Sequence, residues 1–174
     1  NGFYRHVPTG TLKPFHDRRV WHIACQLATI FKPNRIVYLG DMLDLPEWTD
    51  KFYRTPEMFW TTRPALIETG WWLARLKQCA CGSIKQEDWL EGNHEARMLK
   101  SVLSNLIAAY GLAPTDEEAT EQMCSVPHLL GLSKLGIKYH APYPNAEVWL
   151  NRSLKCVHGD ISKSSGSDTA KTVI

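Results

Sequence analysis

The stretch Arg35-Ile36-Val37-Tyr38-Leu39-Gly40-Asp41-Met42-Leu43-Asp44 decides how the chain folds. Its first five residues, rich in β-branched and apolar side chains, read as a buried strand. The Gly-Asp that follows reads as the point where this strand emerges into a loop. Two further stretches repeat the arrangement: Gln86 to Glu91 leads into Gly92-Asn93-His94-Glu95, and Leu154-Lys155-Cys156-Val157 leads into His158-Gly159-Asp160. Ligands of open α/β sheets collect at the carboxyl ends of strands, so the three polar clusters read as pieces of one metal site. Carboxylate, carboxamide and imidazole groups gathered there form a mixed oxygen and nitrogen set suited to manganese, iron or zinc.

Outward from the first strand, Asp17 is a helix cap, and Val20, Ile23, Ala24, Leu27, Ile30 and Phe31 recur at helical spacing until Lys32-Pro33-Asn34 ends the helix. The segment before it reads as irregular. Thr61, Thr62 and Pro64 start a second helix to about Gln78, with Leu66, Leu73 and Leu76 on one face. After Glu95, the positions Leu99, Val102, Leu103, Leu106 and Ile107 mark a third. Thr115 and Glu118 have capping-box spacing for a helix to about Cys124, and Val126 to Leu135 reads as a short helix after a break near Pro127. Ile137 to His140, Glu147 to Leu150 and Leu154 to His158 read as short strands, the last two joined by a tight turn at Asn151-Arg152-Ser153. Ser164-Ser165-Gly166-Ser167 reads as a loop before a helix beginning near Asp168 and lacks the lysine of a phosphate-binding P-loop. Alternating helices and strands followed by a hairpin predict an α/β domain.

Composition sets the outer bounds. A chain of 174 residues with 44% hydrophobic residues is long enough for one domain with a true core, residues 1–174 together. A formal net charge of +2 carries no footprint of a dedicated nucleic-acid binder. Five cysteines without Cys-x-x-Cys spacing support neither a disulfide framework nor a zinc knuckle, and Cys79-Ala80-Cys81 alone cannot complete a tetrahedral site. A reducing cytoplasm fits this usage. The chain has no long apolar run of membrane-spanning length and no basic leader before an apolar stretch, so neither spanning nor export is indicated. Asn1 in place of Met, and an end at Ile174 inside an expected helix, read as a piece of something longer.

Each cluster has a plainer alternative. Gly40-Asp41 suits any turn, and Asp44 either orients a ligand or caps a local turn. Asn93 offers a neutral carboxamide oxygen to a cation, or serves as a helix cap; His94 is placed to donate a proton; Glu95 and Arg97 suit the first turn of the helix. His158 is either a ligand or a satisfied structural imidazole.

Taken together, the order, strand-end placement and separations of Gly40-Asp41-x-x-Asp44, Gly92-Asn93-His94-Glu95 and His158 resemble the calcineurin-like metallophosphoesterase superfamily over roughly residues 17 to 174. The resemblance implies a sandwich of two mixed β-sheets flanked by helices. It implies two divalent metal ions, manganese first with iron, zinc or nickel as alternatives. Asp41 would bridge them, Asn93 and His158 would hold the second, Asp44 would support from behind, and His94 would be the catalytic acid. The implied reaction is hydrolysis of a phosphate ester by a hydroxide on the two metals. The family's opening Asp-x-His (or Asp-x-Gln) is absent, since residue 4, two before His6, is Tyr, and no Gly-His-x-His occurs before Ile174. A stretch without them is expected to bind metal poorly and turn over little. The alternatives are a phosphodiesterase or nuclease acting on DNA or RNA, and an inactive relative that binds phosphate groups or nucleic acid.

One segment bears on the substrate. Trp48, Phe52, Tyr53, Phe59 and Trp60 interleave with Lys51, Arg54 and Arg63 just after the first cluster. Such rings stack bases while cations contact phosphates. The favoured reading is that they cover the core beneath Trp71 and Trp72, with the charges facing water.

Overall fold

Three parallel strands form the centre of the molecule, and each is placed by the helix before it. The computed structural model describes residues 1–115 and 121–159. Helix α1 (Arg18–Phe31) begins where the Asp17 carboxylate accepts the Arg19 amide and ends at Lys32, whose left-handed conformation turns the chain into β3 (Arg35–Tyr38). Helix α2 (Thr62–Cys79) follows two short 3-10 turns, Pro46–Trp48 and Pro56–Met58, and leads into β4 (Gln86–Leu90). Helix α3 (Ala96–Asn105), a 3-10 turn at Ile107–Ala109 and the short α4 (Val126–Leu130) precede β5 (Ile137–His140). The sheet order is β3-β4-β5, all parallel, with Tyr38 opposite Trp89 and Leu90 opposite His140. An antiparallel ribbon of β6 (Glu147–Trp149) and β7 (Lys155–Val157) packs on it through Leu90, Ala146 and Val148. The Arg35 guanidinium ties ribbon to sheet by donating to the Trp149 carbonyl at 2.9 Å.

The molecule is thus mixed α/β. Its main core lies between the sheet and α2, where Trp72, Leu73, Leu76 and Trp89 meet Leu43 and Leu45 from the loop after β3. Each such side chain stabilises the fold by about 1.5–3 kcal/mol relative to exposure. Strand β4 is the spine, and it buries two acids along with Trp89 and Leu90. Glu87 pairs with Lys77 at 2.6 Å and accepts the Tyr38 hydroxyl, while Asp88 holds Arg35 and His140. Glu91, just past the strand, accepts the Tyr139 hydroxyl and the Tyr143 amide.

Several expectations need correction. The irregular start is a hairpin, β1 (Phe3–His6) with β2 (Thr11–Pro14), closed by Thr9 and Gly10 amides on the His6 carbonyl. On α1 the buried face is Cys25 and Ala28 with Trp21 and Ala24 beside them, whereas Val20, Ile23, Leu27, Ile30 and Phe31 face outward. Apolar periodicity found the helix and picked the wrong side, because the packed face uses small residues that let α1 approach α2 closely. Residues 121–124 are not helical; residues 116–120 of that expected helix, like Asp160, Ser164–Ser167 and Asp168, lie outside the described residues. Pro127 does not break α4 but sits in its first turn, after Ser125 caps His128. All five cysteines are free, and no helix among the described residues is long and apolar enough to cross a membrane.

Candidate metal centre

The ends of β3, β4 and β7 meet closely enough that two of the three junctions require glycine. Gly40 has φ +85° and Asp41 φ +53°, so the chain leaves β3 through two consecutive left-handed residues. A Cβ on Gly40 would lie 2.8 Å from the Gly92 Cα and 2.5 Å from the His158 ring. A Cβ on Gly92 would overlap the amide nitrogen and Oδ1 of Asp41. These loops are in backbone contact, which explains why Gly starts both clusters.

Glu95 fixes the junction from beneath. Its carboxylate is 2% exposed and accepts the amides of Asp41 at 2.8 Å, Gly92 at 3.0 Å and Leu43 at 3.1 Å. Burial pushes its pKa up, and the Leu43 and Asp41 amides act in the opposite direction. Arg97 adds a 2.7 Å bond to the Asp44 carbonyl. Sequence reasoning assigned both residues to the first turn of a helix, and for Glu95 that was a miss. The available signal was a carboxylate directly after Asn93-His94, at a strand-to-helix junction with no cation beside it in sequence.

On this frame Asp41, Asn93, His94 and His158 come together, with Asp44 at the side. The Asp41 Oδ1 accepts the His94 amide at 2.9 Å, leaving Oδ2 directed at the His158 Nε2, 3.6 Å away, and the His94 Nε2, 3.8 Å away. His158 Nδ1 contacts the Leu39 carbonyl, which can only accept, so this nitrogen carries the proton. In the neutral ring Nε2 is therefore a lone pair, and it faces the Asn93 Oδ1 at 3.1 Å. With Nε2 as a lone pair, Asp41 Oδ2, Asn93 Oδ1 and His158 Nε2 form a converging acceptor set that a cation could satisfy. The donor types, one carboxylate, one carboxamide and one imidazole, suit manganese, iron or zinc.

The Asp44 side chain meets the His94 ring. Its Oδ1 lies 2.8 Å from the His94 Nδ1, and that hydrogen bond, acting against burial, holds Asp44 below the ordinary carboxylate range. With Nδ1 engaged, His94 presents Nε2 outward. Tyr143 packs edge-on against the His158 ring at 5.6 Å. Asp41 is 32% exposed and His158 15%, so the pocket is a shallow, open notch. Among the described residues no three His, Cys, Asp or Glu side chains form a metal-holding group; the third donor here is an asparagine.

Compared with protein-family models, curated proteins and solved structures, the chain matches none.

Proposed function

We propose that this chain carries the Asp41, Asn93 and His158 part of a metallophosphoesterase centre for phosphate-ester hydrolysis, with weak metal binding and low turnover expected while the opening Asp-x-His and closing Gly-His-x-His are lacking. The observation that supports it is the convergence of Asp41 Oδ2, Asn93 Oδ1 and His158 Nε2, with the His158 proton committed to the Leu39 carbonyl. Divalent cations, manganese first, supply Lewis acidity and acidified water at such a centre. Asp41, Asn93 and His158 would hold one of them. A second would share Asp41 and has no further acidic or imidazole cluster to draw on among the described residues. Asn93 contributes an oxygen without adding negative charge, which leaves the notch open to an anionic ester. Asp44 accepts the His94 Nδ1 proton and would stabilise the imidazolium form of the ring, whose Nε2–H could pass its proton to the departing oxygen and leave the neutral ring. The buried Glu95 holds Asp41 at its strained turn, so the carboxylate needs no rearrangement. On this reading the β3-β4-β5 sheet and the β6–β7 ribbon belong to two sheets packed face to face.

The test is a Mn2+ titration followed by electron paramagnetic resonance, alongside hydrolysis of mono- and bis-aryl phosphates at saturating Mn2+. Asp41→Asn and His158→Ala should each weaken Mn2+ binding about tenfold or more. His94→Asn should leave Mn2+ binding in place and slow hydrolysis by about 100-fold or more. Absence of Mn2+ uptake at millimolar concentration would refute the centre; uptake without hydrolysis would favour the inactive, phosphate-binding relative.

A further inference from the structure

The loop from Pro46 to Arg63 does not cover the core as its aromatic content suggests. Only Trp48 packs inward, donating its indole N–H to Thr62 at 2.9 Å. Phe52, Phe59 and Trp60 are 60%, 42% and 65% exposed, Tyr53 is 91% exposed, and Tyr4 of the adjoining hairpin is 41% exposed. Five rings facing water on one loop and its neighbouring hairpin form a contact surface.

Two features indicate that this surface is built. Trp60 has φ +61°, a costly conformation for a bulky residue, and it is held there by Glu47, whose carboxylate accepts the amides of both Trp60 and Thr62. Glu47 is thereby spent internally, and the Trp60 ring is fixed outward. The Arg5 guanidinium then lies 4.3 Å over that ring, and Lys51 lies 5.5 Å over Phe52. Across residues 3–14 and 46–63 there are five Lys or Arg (Arg5, Lys13, Lys51, Arg54, Arg63) against three Asp or Glu, of which Glu47 is one. A hollow of about 280 Å3 opens between Trp48, Arg54 and Ser101. The loop begins two residues after Asp44, and its first turn packs on α3, the helix that starts two residues after His94.

We propose that this loop and hairpin β1–β2 bind a single-stranded polynucleotide and present its phosphodiester chain to the centre at Asp41. The proposal rests on the phosphoesterase reading and names its substrate class. Flat rings alternating with cations match successive bases and phosphates, and only unpaired bases expose the faces that stack. A duplex keeps those faces inside, and a phosphopeptide would engage the cations while leaving the rings unused.

The experiment is fluorescence anisotropy of the full chain with fluorescein-labelled oligothymidylate and oligouridylate of about 15 nucleotides, in EDTA so that nothing is cleaved. Saturable binding of either strand, stronger than a duplex of equal length, is expected; whichever sugar is preferred, the proposal stands. Tyr53→Ala and Trp60→Ala should each weaken it by about 5- to 100-fold. Tyr53, exposed and free of packing, carries no folding role, while Trp149→Ala, an exposed indole on β6, should change nothing. No saturable binding, equal affinity for duplex, displacement by a phosphoserine peptide at matching concentration, or full affinity in folded Tyr53→Ala and Trp60→Ala would each overturn the proposal. Strand binding without Mn2+ uptake or aryl phosphate hydrolysis would support the surface and remove the phosphoesterase reading. Hydrolysis without strand binding would do the reverse.

Discussion

Strand β4 and the turn that follows it both bury carboxylates, and they hold them in opposite ways. Within the strand, Glu87 and Asp88 face side-chain partners: the Lys77 ammonium for the first, the Arg35 guanidinium and the His140 ring for the second. For Asp88 burial works against the charge, yet the His140 and Arg35 hydrogen bonds prevail and its pKa ends below the ordinary value. Past the strand, Glu95 has no such side-chain partner among the described residues and is bound by three backbone amides. Side-chain pairs lock one element to another; amide bonds to a buried carboxylate shape a loop. The first arrangement holds β3, β4 and β5 together, and the second leaves a notch at Asp41 that favours positive ligands.

The sharpest break of this contrast is steric. Gly92→Ala places a methyl on the Asp41 backbone and should cost about 3 kcal/mol or more in urea unfolding. Glu95→Ala strands three amides and should cost about 3 kcal/mol while also weakening Mn2+ binding. Asp88→Asn weakens the contacts to Arg35 and His140, both of which keep some contact with water, so a loss of about 2 kcal/mol with unchanged Mn2+ affinity is expected. Equal effects of the last two on Mn2+ would erase the distinction.

A fourth carboxylate extends the comparison to acid. Glu68 is held chiefly by Arg18, against some opposing burial, with His16 and Trp72 adding bonds, and its pKa falls to about 2. A depressed folded value means its contribution is complete above the unfolded pKa of about 4.3 and is lost as pH falls toward 2. Arg18 is half exposed, so the expected acid-labile stability is about 1–2 kcal/mol, absent in Glu68→Gln when unfolding is followed from pH 6 to pH 2. The smallest effect has the opposite sign. Gly70 on α2 has open space around it, and Gly70→Ala should stabilise by about 0.5–1 kcal/mol.

Much of the scaffold was legible because local signals and burial agree. Asp17, Lys32, the β-branched run at Arg35 and the Asn151 turn each state their structure in a few residues, and the structure follows them. The clustering of Asp41, Asn93 and His158 was legible for the same reason, since all three terminate strand-like runs. Hairpin β1–β2 was hidden because its strands are four residues long and mostly exposed, with little alternation to detect. The outward stripe of α1 misled because periodicity reports a helix face without saying what lies against it. Glu95 was misread because its role is to bind amides from two loops, and that function leaves no spacing in sequence. The rings of the Pro46–Arg63 loop were misjudged on composition, which cannot tell a Trp held outward by a left-handed backbone from one folded inward.

The notch draws two of its walls from the parallel sheet and its third from a ribbon of two three-residue strands that, among the described residues, reaches it through His158. Local fraying of that ribbon removes one wall and leaves the other two standing. Any ion seated across all three walls must therefore stabilise the ribbon by mass action, and amide protons of β6 and β7 should exchange more slowly as the ion concentration rises.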